Sequence, residues 1–409
     1  MEKRSTAGPM LMPKFVSRFE CTGGDCEDTC CSGWRIDLDR ATLLQYESCE
    51  DPELRPLLQE YVKRNTADAT VQACGHIQKL DDTAHYCPFL DAAKLCRIQS
   101  RLGAEGLSDT CSDYPRSTVL LGDFHQTTLK LSCPVAARLA LLEPDAFDME
   151  AREARVRTGG IGKLEPSLGL SLPNMDEIRT HMYQILHERG LDLSRRLAIL
   201  GLYCQRLTEL AEQGKQNNIP GLMDAMDAYV EQGAVSIPLR PREERERAQV
   251  QFASIFLLAM RVQELSPLQR RVVDAAVAAL GINPDGTLDG DRLLNGYQAG
   301  AARLGKALES APLVLEHYLL NEALRELLPW SLGNPMQHFI QFLLRFTILR
   351  VFLAGRAASK ETPLTPWELA ETVHVFCRRV QNGRKIIDQF NLGSGAADWT
   401  SLRTLFTLV

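Results

Sequence analysis

No apolar run in this chain is both long enough to cross a bilayer and free of polar interruption. FASIFLLAM at 252–260 is too short, and FIQFLLRFTILRVFLAG at 339–355 is broken by Gln341, Arg345 and Arg350. Both read as core helices. An arginine-bearing amphipathic helix can also lie on anionic lipid, so peripheral membrane contact is kept as a second role. The basic N-terminal stretch is followed only by PMLMP, where a secretory leader needs about 7–15 apolar residues. The expectation is a cytoplasmic protein with no transmembrane segment. Charge of one sign is also scarce: the formal net charge is −6 over 409 residues and aromatics make up 7%. Such a chain has no basic coat for nucleic acid, and none is expected as a partner.

Cofactor signatures are missing as well. No strand-GxGxG-helix pattern occurs, and neither does a flavin or nicotinamide motif. TGGIGK at 158–163 lacks both a preceding strand and the GxxxxGK[ST] form of a phosphate cradle. The cysteines do not form zinc-ribbon knuckles or the bacterial ferredoxin run. Cys26 and Cys30 have the first gap of C-x₃-C-x₂-C, but position 33 is glycine.

What the chain has is sulfur, unevenly placed. Ten of its twelve cysteines precede residue 134, and four of them fall within CTGGDCEDTCCSGW at 21–34. A chain of this length builds a core without disulfides, so the crowding calls for chemistry. Four groups recur among turn residues: Cys21/Cys26/Cys30/Cys31, then Cys87 and Cys96, then Cys111, then Cys133. Thiolates are soft donors that suit zinc or an iron–sulfur cluster far better than magnesium or calcium. Gly23, Gly24 and Gly33 allow backbone N–H groups to approach sulfur closely. Adjacent Cys30 and Cys31 are expected to diverge. Spacing alone leaves structural zinc, a redox or catalytic iron–sulfur site, and buried reduced thiols all open. Cys204 and Cys377 stand alone in helical contexts and read as small core residues.

Residues 1–150 carry 16 Lys and Arg against 24 Asp and Glu, a net of −8 that leaves +2 for the rest. The expected fold is mainly α: a cysteine-rich metal-binding domain over 1–150 with a short β-hairpin, a linker over 151–174, and a helical bundle over 175–409 suited to protein-substrate recognition. The hairpin is read at 118–132, where a Gly-Asp step joins two β-rich runs, and should bring Cys133 close to Cys111. Helices are expected near 39–48, 53–64, 194–213, 220–232, 243–263, 288–309, 312–327, 335–354 and 398–407. Another starts at Asn174 as N-cap with Glu177 at its third position. SPLQ (266–269) and TPWE (365–368) each combine a capping hydroxyl, a first-turn proline and Gln or Glu.

The order C-x₄-C-x₃-C-C-x-G-W, then CPFLDAAKLCRIQSRLGAEGLSDTCSDYPR, then LSCP resembles the flagellin lysine N-methylase (FliB) family, part of a wider group of zinc- or iron-chelating cysteine-cluster proteins. The resemblance covers about 15–140. It implies a cytoplasmic enzyme that transfers methyl groups from S-adenosylmethionine to surface lysines of flagellin and is associated with a [4Fe-4S] cluster, zinc being the alternative metal. On the matching positions, the metal-binding thiols would be Cys21, Cys26, Cys30, Cys31, Cys87, Cys96, Cys111 and Cys133, with Cys49 and Cys74 as spectators. Lysine chemistry needs a group that desolvates the ammonium or accepts its proton, for which Tyr86, Asp109, Asp113 and Tyr114 are candidates. Arg97 and Arg116 are candidates to hold the cofactor carboxylate. The alternatives are a non-enzymatic zinc-binding adaptor and an iron–sulfur oxidoreductase.

Overall fold

The computed structural model describes residues 5–66, 70–82, 85–157, 161–234, 239–283, 285–331, 333–381 and 408. Helix dominates, as expected, with fifteen α-helices among the described residues. Three features of the sequence set their ends. Thr365 and Glu368 form a reciprocal capping box, and so do Asn334 and Gln337. Ser266 Oγ accepts from the Gln269 N–H at 3.3 Å. The Gln269 side chain does not close that box, because it turns to Asp28. The helix expected at Asn174 begins earlier: it spans Leu172–His187 and is capped by Ser171. The helix expected over 53–64 is Leu54–Tyr61, and its last three positions pass into a strand. The helix expected at 398–407 lies outside the described residues.

The sheet content exceeds one hairpin. β1 (Ser5–Pro13), β2 (Ile36–Leu38), β3 (Val62–Arg64), β4 (Gly75–Ile77), β5 (Arg116–Leu121), β6 (Phe124–Leu129), β7 (Met149–Arg157) and β8 (Gly162–Lys163) form two sheets. The larger has the order β7-β1-β6-β5-β8 and the smaller β2-β4-β3. The expected hairpin is β5–β6, with Leu121 opposite Phe124 across Gly122-Asp123. β7 runs antiparallel to β1 from Met149 to Arg157, so the segment expected as a linker is in part an edge strand.

Two apolar cores follow. The smaller gathers Ile36, Leu38, Leu43, Tyr46, Leu54, Leu58, Ile77, Cys87, Phe89, Ile98 and Leu107. The larger runs from Met10 through Leu141 and Phe147 into the helices after residue 170. β1, β6 and the helix Pro134–Leu142 therefore pack with the bundle rather than with the cysteine-rich body. At the bundle's centre lies Pro335–Ala358. It is the one helix among the described residues long and apolar enough to cross a membrane, yet 89% of its apolar window is buried inside the molecule. Arg345 is buried there beside the Glu326 carboxylate. Gly300 lets a neighbouring helix approach closely, since a Cβ there would overlap the Ala354 carbonyl.

Candidate functional site

All twelve cysteines are free thiols, and the fold sorts them. Cys87 belongs to the smaller core, against which Cys31, Cys49, Cys74, Cys96 and Cys111 pack. The backbone N–H of Cys87 donates to Cys31 O at 2.7 Å, and Leu90 pairs with Cys96 in an isolated bridge. Cys111 sits in the short helix Asp109–Asp113, whose cap Ser108 accepts from the Cys111 N–H. Cys31, Cys87, Cys96 and Cys111 thus lie near one another: burial, and then each other's charge, pushes the Cys87 thiol up to about 11 and the Cys111 thiol up to about 12. Cys96 is raised for the same reasons. Cys133 precedes Pro134–Leu142 in the larger core, with Cys26 and Cys21 as its neighbours. The hairpin also sets it near Tyr114, three residues after Cys111, since Tyr114 bonds Ser132 and is buried near both Cys133 and Cys30.

Cys30 and Cys31 do not diverge. Their sulfurs share a hydrogen bond that, together with burial, holds the Cys30 thiol up; the same bond brings the Cys31 thiol down to about 6 against the opposing effect of burial. Among the described residues no three His, Cys, Asp or Glu side chains come close enough to hold a single metal ion. Two cations face the four-thiol group with nitrogen to spare. Lys79 lowers the Cys31 and Cys87 thiols, and Arg378 lowers Cys30 and Cys31. Lys79 Nζ and Arg378 Nη1 are buried without a hydrogen-bond partner among the described residues. Buried donors left open beside sulfur, with sulfur as the only donor type in the group, fit a polyanionic thiolate-bound cluster.

Residues that adjoin these cysteines in sequence line a cleft of about 580 Å³: Trp34, Asp109, Asp113 and Tyr114, together with Asp37, Asp39, Arg116 and Lys130. Trp34 and Tyr114 pack as tilted rings with centroids 5.5 Å apart, and the Trp34 indole donates to Cys30 O. Tyr114 O–H shares a hydrogen bond with Ser132 at 3.2 Å. A second cleft of about 470 Å³ adjoins it and shares Asp113, Arg116 and Lys130. Burial, and then Arg325, depresses the Lys130 ammonium.

Residues 179–408, more than half of the chain, match the model of the FliB lysine N-methylase C-terminal domain. The chain belongs to the FliB lysine N-methylase family. It is similar to the lysine-N-methylase of Salmonella typhimurium strain LT2, 35% identical over 158 residues, and equally to that of Salmonella choleraesuis. The match spans 38% of this chain and 38% of each of those relatives. It is also 36% identical over 145 residues to the flagellar biosynthetic protein FliU of Salmonella muenchen, covering 35% of this chain and 82% of FliU. No solved structure matches.

The FliB C-terminal region is not remote from the thiols. Its helix Pro366–Val380 sends His374 to Asp28 at 2.8 Å and Arg378 Nη2 to the carbonyls of Thr29 and Ser32, both at 2.9 Å. Gln269 and Ser266 complete the Asp28 shell. Burial opposes the Asp28 charge, but His374, Arg378 and Gln269 hold its carboxyl down at about 2. Asp28 sits between Cys26 and Cys30, so the bundle grips the cysteine loop by buried hydrogen bonds to this carboxylate.

Of the sequence candidates, Asp109, Asp113, Tyr114 and Arg116 line the cleft. Tyr86 and Arg97 do not: Tyr86 pairs with Ser32 in an isolated bridge, and the Arg97 N–H donates to Phe89 O. Sequence reasoning missed Trp34, Asp37, Asp39, Lys130 and Arg378. Asp37 and Asp39 carried a signal, since alternation in IDLD places both on one side of an extended segment. Arg378 had none in sequence, being over 300 residues from the carbonyls it holds.

Proposed function

We propose that the chain transfers methyl groups from S-adenosylmethionine to lysine amines of flagellin, in a site whose thiols hold an iron–sulfur cluster. The observation that carries this reading is an acid-lined, aromatic-walled cleft whose walls include Trp34 and the segment Asp109–Tyr114 around Cys111. A lysine ammonium entering it meets Asp37, Asp39, Asp109 and Asp113, and the Trp34 and Tyr114 rings favour the cation over water. The amine must then lose its proton before it can attack a sulfonium methyl. Lys130, whose ammonium burial depresses, lines the same cleft and is assigned as the proton acceptor. The names of the similar proteins support lysine and the flagellum as substrate class and setting.

Cys31, Cys87, Cys96 and Cys111 are the thiols gathered for the cluster. They would hold the cluster, and the chemistry it would supply is binding of the methyl donor's amino and carboxylate groups. Arg378 and Lys79 offset the negative charge of the sulfurs, and Trp34 with Tyr114 keeps bulk water from that side.

The test is iron, zinc and acid-labile sulfide content, with a visible spectrum, on anaerobically purified protein before and after S-adenosylmethionine, alongside mass spectrometry of incubated flagellin. About four iron and four sulfide per chain, a donor-perturbed spectrum and methylated lysines support the reading. Full methylation by metal-free protein sinks the role of the cluster. Colourless zinc-loaded protein that methylates nothing sinks the enzyme and leaves the zinc-binding adaptor.

A further inference from the structure

The 470 Å³ cleft has the opposite character to its neighbour. Arg116, Lys130, Arg152, Arg155 and Arg157 line it. Arg157 is committed, to Glu105 at 3.2 Å and to the Ala104 and Leu107 carbonyls. Arg116 lies over the Phe19 ring. Arg116, Arg152 and Arg155 form no ion pair with another described residue, although Glu150 and Glu153 share β7 with the last two. Uncompensated guanidinium groups gathered on one concavity ask for an anion.

We infer that the paired clefts read a polypeptide carrying both signs: the lysine enters the acidic cleft while carboxylates beside it on the substrate surface bind Arg116, Arg152 and Arg155. This rests on the lysine-methylation reading and deepens it, by naming the class of lysine chosen. Three observations select this occupant. S-adenosylmethionine offers a single carboxylate and carries a sulfonium charge, so it does not match three guanidinium groups. A nucleic-acid backbone is repelled by Asp37, Asp39, Asp109 and Asp113 immediately beyond Asp113, which both clefts share. A protein surface with a lysine next to Asp or Glu matches both halves at once. Arg152 and Arg155 lie on β7, an edge strand of the larger sheet, so the substrate meets them on a rigid element.

The experiment compares two fluorescein-labelled dodecapeptides, each with one central lysine. In the first, Asp and Glu flank the lysine; in the second, Asn and Gln replace them. Binding to the full-length protein is followed by anisotropy at low and moderate salt, and methyl transfer to each peptide is measured in parallel. The acidic peptide is expected to bind at least tenfold tighter, and the double variant Arg152→Gln/Arg155→Gln, verified as folded by its melting curve, is expected to erase that preference. Equal binding of the two peptides overturns the inference even if both are methylated. Preferential binding of the acidic peptide without transfer to either supports the inference and sinks the methylase reading instead. An unlabelled single-stranded dodecanucleotide that displaces the acidic peptide as well as its own unlabelled form does makes the cleft a general anion patch and also overturns the inference.

Discussion

Arg378 is the residue on which the two halves of the site meet. Its side chain is 4% exposed, Nη2 is spent on two carbonyls flanking the adjacent cysteines, and Nη1 is open. Replacing it with Gln removes a positive charge next to sulfur while leaving a donor for the carbonyls. At an effective dielectric of about 20, a unit charge some 6 Å away is worth roughly 2–3 kcal/mol. In the cluster-loaded protein, Arg378→Gln should therefore shift the reduction midpoint on the order of 100 mV more negative, and Arg378→Lys much less. Spectroelectrochemical titration reads the shift, and an unmoved potential would mean that Arg378 only pins the loop. Lys130 makes a different demand. Lys130→Met should lower the methyl-transfer rate by about 10²–10³-fold with little change in KM for the lysine substrate, since it removes a proton acceptor and no attractive contact. A change confined to KM would make Lys130 a wall of the cleft.

At the scale of elements, two of the four glycines in the helix Gly290–Leu308 have opposite surroundings. A Cβ on Gly300 would overlap the Ala354 carbonyl, whereas one on Gly305 meets nothing within 4 Å. Gly300→Ala should thus destabilise by about 1–3 kcal/mol through forced separation of two packed helices. Gly305→Ala should stabilise by about 0.5–1 kcal/mol, because the alanine restricts only the unfolded chain. Urea denaturation of the two variants gives the signs, and matching signs would remove close packing as the reason for Gly300. How the elements appear in sequence follows the same local physics. Capped amphipathic helices such as Pro267–Ala279 and Pro366–Val380 announce their ends through Ser266 and Thr365. The hairpin shows itself through Gly122-Asp123. β1 and β7 are invisible because their pairing is long-range: Pro9 and Pro13 punctuate one, and MEAREARVR has the charge of a solvated helix face. The site was half readable for a related reason. Asp109, Asp113 and Tyr114 adjoin a cysteine in sequence, while Lys130 and Arg378 reach the cleft and the thiols only through the packing of the larger core.

For the whole molecule, two buried imidazoles set the response to acid. His317 is 1% exposed, donates from Nδ1 to Ala140 O at 2.8 Å and packs on the Phe147 ring at 4.9 Å. Burial chiefly holds its pKa down at about 4, with Glu316 opposing and Arg189 and His187 assisting. His338 is fully buried at the start of the central helix. Burial likewise holds it at about 4, assisted by Arg325 and opposed by the Pro329 carbonyl, with Glu326 at 3.7 Å. Both folded values lie below the ordinary 6.5 of an unfolded histidine, so between those values the unfolded chain binds more protons. The stability they contribute is complete above about pH 6.5 and is lost as pH falls toward 4. At pH 5 each costs about 2 kcal/mol, and the two together lower stability by roughly 4 kcal/mol relative to pH 7.5. The depressed carboxylates of Glu316, Glu322 and Asp28 still hold their charge in that interval, so they do not obscure it. The melting temperature of the full chain should therefore fall steadily from pH 7 to pH 5. The double variant His317→Asn/His338→Leu, whose asparagine keeps a donor for Ala140, should start from a lower melting temperature and lose most of that slope. An unchanged slope in the variant would assign the acid sensitivity to other groups, such as His187, which burial also depresses.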